Sequence, residues 1–199
     1  PFFESQLKAC GVDYFDFYNA VSSVFSSKIE SEDIELDSFF KHKFLKVEFN
    51  PDYTARANDL FAAYELMKTQ ELNLNNFLNA HAIITNNILP KSQQGLLRNS
   101  PMVVMNGEGK IEYVATDPSL VKSEINKLFH DIDMLLSMDL DEYEVLYYSA
   151  QIHFWFVKIH PFYDGNGRAG RLLEKWFLVS HFKEKGFALQ TEKSYYQNL

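Results

Sequence analysis

Residues 160–171 read "HPFYDGNGRAGR", and the rest of the chain is best read outward from them. Pro161 disfavours the α conformation in the residue before it, so a helix running up to Ile159 must stop at His160. The imidazole then projects into a loop instead of packing on a helix face. Gly165, Asn166 and Gly167 form the turn into the next helix, whose first N–H groups lack partners and carry the positive end of the dipole. Such a turn is an anion site. Arg168 and Arg171, at i and i+3, share one helix face and can grip more than one phosphate group. Asp164 places a carboxylate beside that site, where a hard cation such as Mg²⁺ takes an oxygen ligand. Together these parts describe nucleotide binding and phosphoryl or nucleotidyl transfer, with His160 taking a proton from an attacking hydroxyl. Taken singly, each has an ordinary explanation: a polar helix end, a turn, a solvated face. Their conjunction does not.

The flanks predict a mainly helical chain. Upstream, a helix from about Glu142 to Ile159 ends at the proline. Downstream, a core helix starts near Asn166 and runs through "RLLEKWFLVSHF", with Gly186 as its expected stop. Val121, Ile125, Leu128, Phe129 and Ile132 keep helical spacing after Pro118. Asn58–Met67 and Leu72–Leu89 also read as helices, the second stopped by Pro90. Near the N-terminus, Tyr14, Tyr18, Val21, Phe25 and Ile29 form the stripe of an amphipathic helix that ends near "SSKIESED". One stretch differs: "MVVMNGEGKIEYVA" (102–115) is two β-prone runs around Asn106-Gly107-Glu108-Gly109, a hairpin signal. No internal repeat or low-complexity linker interrupts the 199 residues.

Composition narrows the function classes. Hydrophobic residues make up 46% and aromatics 16%, enough for a packed core and too many for disorder. The net charge of -8 disfavours nucleic acid and anionic membranes as partners, so any phosphate must be held by a local site. No apolar run is long enough to span a bilayer. Cys10 is the single cysteine, read as a small buried hydrophobe; with no intrachain disulfide available, a reducing, cytoplasmic setting is expected. Pro1-Phe2-Phe3-Glu4 looks like neither a signal peptide nor a start of translation, as in a fragment of a longer protein.

"HPFYDGNGRAGR" resembles the Fic-family signature at every specified position. "AQIHFWFVKIHPF" is similar to the family's helix leading into the signature, "GLLR" (95–98) with the following hairpin to its flap, and "YYQNL" to its closing helix. The resemblance covers roughly residues 60–199 and leaves 1–59 as an N-terminal helical region. It implies an all-α Fic fold, a helical bundle with a small β-hairpin flap, and an enzyme that transfers AMP from ATP to a Ser, Thr or Tyr hydroxyl of a target protein, itself included, releasing pyrophosphate. His160 would be the general base and Asp164 the Mg²⁺ ligand. The Gly165-Asn166-Gly167 turn would bind the α- and β-phosphates, with Arg168 and Arg171 on the outer phosphates. Intact Gly-Asn-Gly-Arg speaks against the phosphorylating Doc-like branch.

On the flap, Met102, Val103, Val104, Ile111 and Tyr113 either dock an extended target segment by strand addition or merely pack on the helices. Tyr195 and Tyr196 either line an adenine pocket or pack amphipathically. His81, His130 and His153 lack metal-ligand spacing and read as structural. Finally, "SSKIES" (26–31) resembles the family's inhibitory segment, Ser/Thr-x-x-x-Glu-Gly/Asn, through Ser26 and Glu30, with Ser31 departing from it. The resemblance implies that Glu30 pairs with Arg171 and withholds it from the γ-phosphate; the plain alternative is a solvated glutamate at a helix end. Rival activities are transfer of UMP, GMP or phosphocholine, removal of AMP, and a module that binds nucleotide or protein without turnover.

Overall fold

The computed structural model describes residues 12–49, 53–105 and 107–198, so Cys10 and Asn106 lie outside the described residues. In chain order the helices are α1 (Tyr14–Ile29), α2 (Leu36–Leu45), α3 (Ala55–Glu65) with a 3₁₀ turn at Leu66–Lys68, and α4 (Leu74–Ile84). After the hairpin β1 (Val103–Met105) and β2 (Ile111–Val114) come α5 (Pro118–Ser137), α6 (Glu142–Ile159), α7 (Asn166–Phe182), α8 (Glu184–Ala188) and α9 (Thr191–Gln197). This is the expected all-α architecture, a helical bundle with a small hairpin. The helix starts follow local chemistry. Asp117 caps α5 with Pro118 in its first turn, and Asp141 and Glu144 form a reciprocal capping box on α6, each cap contributing about 1 kcal/mol.

Helix α7 is the axis of the molecule, buried along nearly its whole length. It packs against α6, and Phe77, Phe156, Phe162, Leu173, Trp176 and Phe177 fill the space around it. A second, smaller cluster of Ala20, Val24, Ile34, Phe39, Ala57 and Phe61 joins α1 and α2 to α3. None of the described helices is long and apolar enough to cross a membrane.

Three expectations need correction. Helix α4 ends at Ile84, well short of Pro90, because the Thr85 hydroxyl donates to the His81 carbonyl (2.7 Å) and the Asn87 amides bond the Asp59 carboxylate (3.1 and 2.8 Å). These bonds draw the chain into turns first. Gly186 does not stop α7, which ends at Phe182 with Lys183 at φ 55°. It sits inside α8, where a Cβ would meet the Val179 Cα at 2.7 Å; close helix approach is what requires glycine there.

The third correction concerns α1. Of its apolar stripe only Val21 is fully buried, whereas Asn19, Ser22, Ser23, Ser26 and Ser27 are buried with it. A buried hydroxyl needs a partner, and three of these serines have one, while Ser27 Oγ has none among the described residues. Ser22 donates to Glu192 (3.0 Å), Ser23 to the Asn19 carbonyl (2.8 Å), and Ser26 accepts from Arg171 (2.9 Å). The small polar face of α1 lies against the centre of the protein, and the expected stripe is half-buried beside it.

Candidate active site

His160 caps α6 in the left-handed conformation, φ 50°, which turns the chain out of the helix. Pro161 has no N–H, so the Val157 carbonyl loses its helical donor. Two other groups take its place: the Tyr113 hydroxyl donates to it at 2.9 Å, and His160 Nδ1 lies 3.3 Å away. Tyr113 Oη is itself 3.2 Å from Nδ1. Nε2 has no protein hydrogen-bond partner among the described residues. Burial pushes the imidazole below its ordinary range; the Val157 bond and the charges of Asp164 and Glu30 oppose this, and Arg98 adds to it. Neutral imidazole is therefore the form present at neutral pH.

The remaining carbonyls at this helix end belong to Arg98. Its guanidinium donates to the carbonyls of His160 (2.6 Å), Ile159 (3.2 Å), Ser100 (2.7 Å) and Thr116 (2.5 Å), and its backbone N–H to that of Pro161 (2.9 Å). A buried cation at a helix C-terminus, surrounded by carbonyl dipoles, ties the hairpin's approach to the histidine.

Gly165 begins α7 at φ 76°, and a Cβ there would lie 2.7 Å from the Thr85 side chain. Only glycine satisfies both demands. The Asn166 side chain faces inward: it accepts from the Phe162 N–H and donates to the Phe162 carbonyl, both at 2.9 Å. Its amide shapes the loop. Helix α7 has no side-chain cap. Beneath the loop, His81 stacks on Phe162 (3.5 Å between centroids), donates from Nε2 to the Asp164 carbonyl (2.9 Å), and accepts the Gly95 N–H at Nδ1 (3.0 Å). Burial lowers its pKa to about 4, so it is neutral. His81 is structural, as read, yet it carries the loop.

Asp164 is exposed, with Oδ1 receiving the Gly165 N–H (2.6 Å). No group of three or more His, Cys, Asp and Glu that could hold a metal exists among the described residues. A magnesium ion carried by phosphates keeps several waters and needs only one or two carboxylates; Asp164 fits that requirement.

Over the start of α7 lies the end of α1. Arg171 is held by Ser26 Oγ (2.9 Å), the Ser26 carbonyl (3.0 Å) and Glu30 Oε1 (2.7 Å). Glu30 Oε1 would stand only 2.5 Å from a Cβ on Gly167, so the carboxylate rests on the opening of the helix. Arg168, the other arginine, pairs with Glu32, which also reaches Arg56 at 3.4 Å. Arg168 Nε is buried and without a partner among the described residues. Glu30 and Glu32 belong to one Schellman turn, in which Glu32 N–H bonds Ser27 O (3.2 Å), Ser31 N–H bonds Lys28 O (3.0 Å), and Ser31 sits at φ 63°.

The model of the Fic/DOC family matches residues 71–178. The chain belongs to that family. A Fic family protein from Desulfovibrio desulfuricans superposes with a TM-score of 0.75 at 22% identity, covering 92% of this chain and 54% of that one. A Fic domain containing signaling protein from Bacteroides thetaiotaomicron gives 0.71 at 16% identity, over 93% and 71% respectively. Fic-1 from C. elegans gives 0.61 at 17% identity, over 82% and 49%. This chain thus spans about half the length of the Desulfovibrio protein, and these likenesses concern the fold.

In this Fic-family chain the structure brings His160, Asp164, the 165–167 turn, both arginines, Ser26 and Glu30 to one place. On the flap, Val104 pairs with Tyr113 and both turn inward, half-buried; Met102 is half-buried too, while Val103 and Ile111 face solvent along with Met105 and Val114. Tyr195 donates its hydroxyl to Glu174 (3.0 Å), which also bonds His153 Nδ1 (2.6 Å). Tyr196 packs its ring near Phe25 at 5.6 Å. Sequence reading missed Arg98 and Glu32 as site residues. An arginine within "GLLR" and a second acid two residues beyond Glu30 were the available signals.

Proposed function

We propose that this chain is a protein adenylyltransferase held in check by its own N-terminal helix. Membership of the Fic/DOC family supports a Fic-type transferase, and one observation carries the finer reading. Two carboxylates of a single turn each occupy one arginine of the phosphate cradle, Glu30 on Arg171 and Glu32 on Arg168. Two anions already lie where the outer phosphates of ATP would be gripped. On this reading residues 1–59 regulate a catalytic core of 60–199.

The chemistry follows from the residues. With the acids withdrawn, Arg171 and the unpartnered Nε of Arg168 take the outer phosphates, while the α7 N-terminus receives the inner ones. Asp164 would hold a phosphate-bound Mg²⁺, which would supply charge neutralisation. Nε2 of His160 accepts the proton of a target Ser, Thr or Tyr hydroxyl as its oxygen bonds the α-phosphorus. The bond to the β-phosphate oxygen breaks and pyrophosphate leaves. The solvent-facing flap residues Val103 and Ile111 offer an edge to an extended target segment. A single cysteine supports a reducing, cytoplasmic setting.

Arg171 and Arg168 are almost fully buried and Glu32 largely so, while Glu30 retains 30% side-chain exposure. Keeping the enzyme 99% closed requires a bias of about 2.7 kcal/mol. Two shielded pairs can supply that, where two exposed ones at ~0–1 kcal/mol each could not. The test is α-labelled ATP with Mg²⁺ given to wild type, Glu30→Gly and His160→Ala. Glu30→Gly should raise automodification by at least about tenfold, the yield of about 1.4 kcal/mol of released bias, and His160→Ala should abolish it. Equal labelling of wild type and Glu30→Gly removes the autoinhibition; ATP binding without transfer by any variant removes the transferase.

A further inference from the structure

We propose that Tyr113, carried by β2 of the flap, is a positioning residue for the base: its hydroxyl fixes His160 in the tautomer with Nδ1 protonated and Nε2 bare. This rests on the reading of His160 as a general base, and it assigns that base a partner on the flap.

The assignment follows from counting donors. Pro161 leaves the Val157 carbonyl without its helical N–H, and the Tyr113 hydroxyl donates to it at 2.9 Å. A phenol has one proton, so toward His160 the same oxygen offers only lone pairs, 3.2 Å from Nδ1. The second neighbour of Nδ1 is the Val157 carbonyl at 3.3 Å, also an acceptor. Facing two acceptors and no donor, Nδ1 must carry the proton. The lone pair then falls on Nε2, the nitrogen without a protein partner. Burial raises the Tyr113 pKa, which keeps the phenol protonated and the count intact.

The ring is held in place to do this. Lys158 Nζ lies 4.5 Å from its centroid, and its edge meets the His160 ring at 6.2 Å and 74°. In the hairpin Tyr113 pairs with Val104, and the register shift between Val104 and Met105 follows immediately. The charges facing the imidazole are Arg98 from the loop before the hairpin, Asp164 from the loop before α7, and Glu30 from α1. None of them hydrogen-bonds Nδ1. Among the described residues, Tyr113 and the Val157 carbonyl set the tautomer.

The experiment compares Glu30→Gly with Glu30→Gly/Tyr113→Phe, the second variant keeping the ring and its contact with Lys158. Side-chain ¹⁵N NMR of His160 at pH 8 should show the Nδ1–H tautomer in the first and a smaller Nδ1–H share in the second, where the Val157 carbonyl at 3.3 Å is the acceptor left to Nδ1. Losing one acceptor also weakens the imidazolium, so the acid limb of the pH–rate profile should move to lower pH. The kcat should fall about fivefold, as for one neutral hydrogen bond, with KM for ATP unchanged. An unchanged tautomer and an unmoved limb overturn the proposal even if activity falls, since lost packing would lower the rate without touching either. A shifted tautomer in proteins that transfer nothing upholds the positioning role and rejects the transferase reading instead.

Discussion

The loop from His160 to Arg171 and the turn from Ser26 to Glu32 meet over the same few ångströms, and each contains residues in the left-handed conformation. Their construction differs. The loop is shaped mainly by its own residues: Pro161 ends α6, Gly165 takes φ 76°, and the Asn166 amide bonds the backbone of Phe162, four residues away. The turn is closed by its own backbone bonds with Ser31 where glycine would be at ease, but its side chains are seated by arginines 136 to 145 residues away in sequence. A site shaped by local covalent preferences needs outside groups only to support it, as His81 does from beneath. Side chains seated by distant ion pairs are held only while their partners stay, as the proposed inhibitory role requires.

The largest effect that would break this contrast is Glu192→Ala. Glu192 is fully buried on α9, paired with Lys175 at 3.1 Å and receiving the hydroxyls of Tyr64 (2.8 Å) and Ser22 (3.0 Å). Through Ser22 it anchors α1. Its removal strands a buried lysine whose other bond is to the Leu189 carbonyl, and should cost about 3–5 kcal/mol in urea unfolding. If the turn depends on how α1 is seated, label transfer should rise in the same variant although residues 160–171 are unchanged. A stability loss with no rise in transfer would mean that the turn holds α1 in place without the Glu192 anchor.

Much of the loop could be read from the chain because its determinants are adjacent and chemically narrow. Pro161 announced the end of α6, and the Gly165-Asn166-Gly167 run announced the start of α7. The hairpin at 102–115 was equally local. The inward face of α1 could not be read that way. Serines on a helix look solvated until a buried Glu192 and Arg171 arrive from the far end of the sequence to bond them. Arg98 was hidden for the same reason: its four carbonyl partners become adjacent only after the hairpin folds back on α6. The end of α4 was misplaced because Pro90 is a strong local stop, while Asp59, which pulls Asn87 into a turn, lies on another helix.

A second, smaller effect strikes the loop and spares the turn. The folded protein keeps His81 neutral, with its pKa near 4, whereas an unfolded histidine titrates near 6.5. Below pH 6.5 the unfolded chain takes up a proton that the folded one refuses, so stability is lost as pH falls from there toward 4. Between pH 7 and pH 5 this contributes a loss of about 2 kcal/mol. Urea unfolding of wild type and His81→Gln across that range isolates it, because carboxylates act on both proteins alike. The wild type should show the steeper fall; parallel curves would mean that His81 accepts a proton in the folded state.

The smallest expected effect tests the turn alone, and its sign is the informative part. Ser31 holds φ 63° as the left-handed residue of the Schellman turn that presents Glu30 and Glu32. A non-glycine residue in that region costs roughly 1–2 kcal/mol, and glycine returns part of this gain as backbone entropy. Ser31→Gly should therefore stabilise the closed turn by about 0.5–1 kcal/mol, with the two acids still on their arginines. Automodification should fall about two- to fivefold below wild type, the opposite direction to Glu30→Gly. The variant removes no contact with either arginine, so a fall in transfer is traced to the turn's own conformational preference. A rise in transfer would show that Ser31 serves the closed state through something other than its backbone angle.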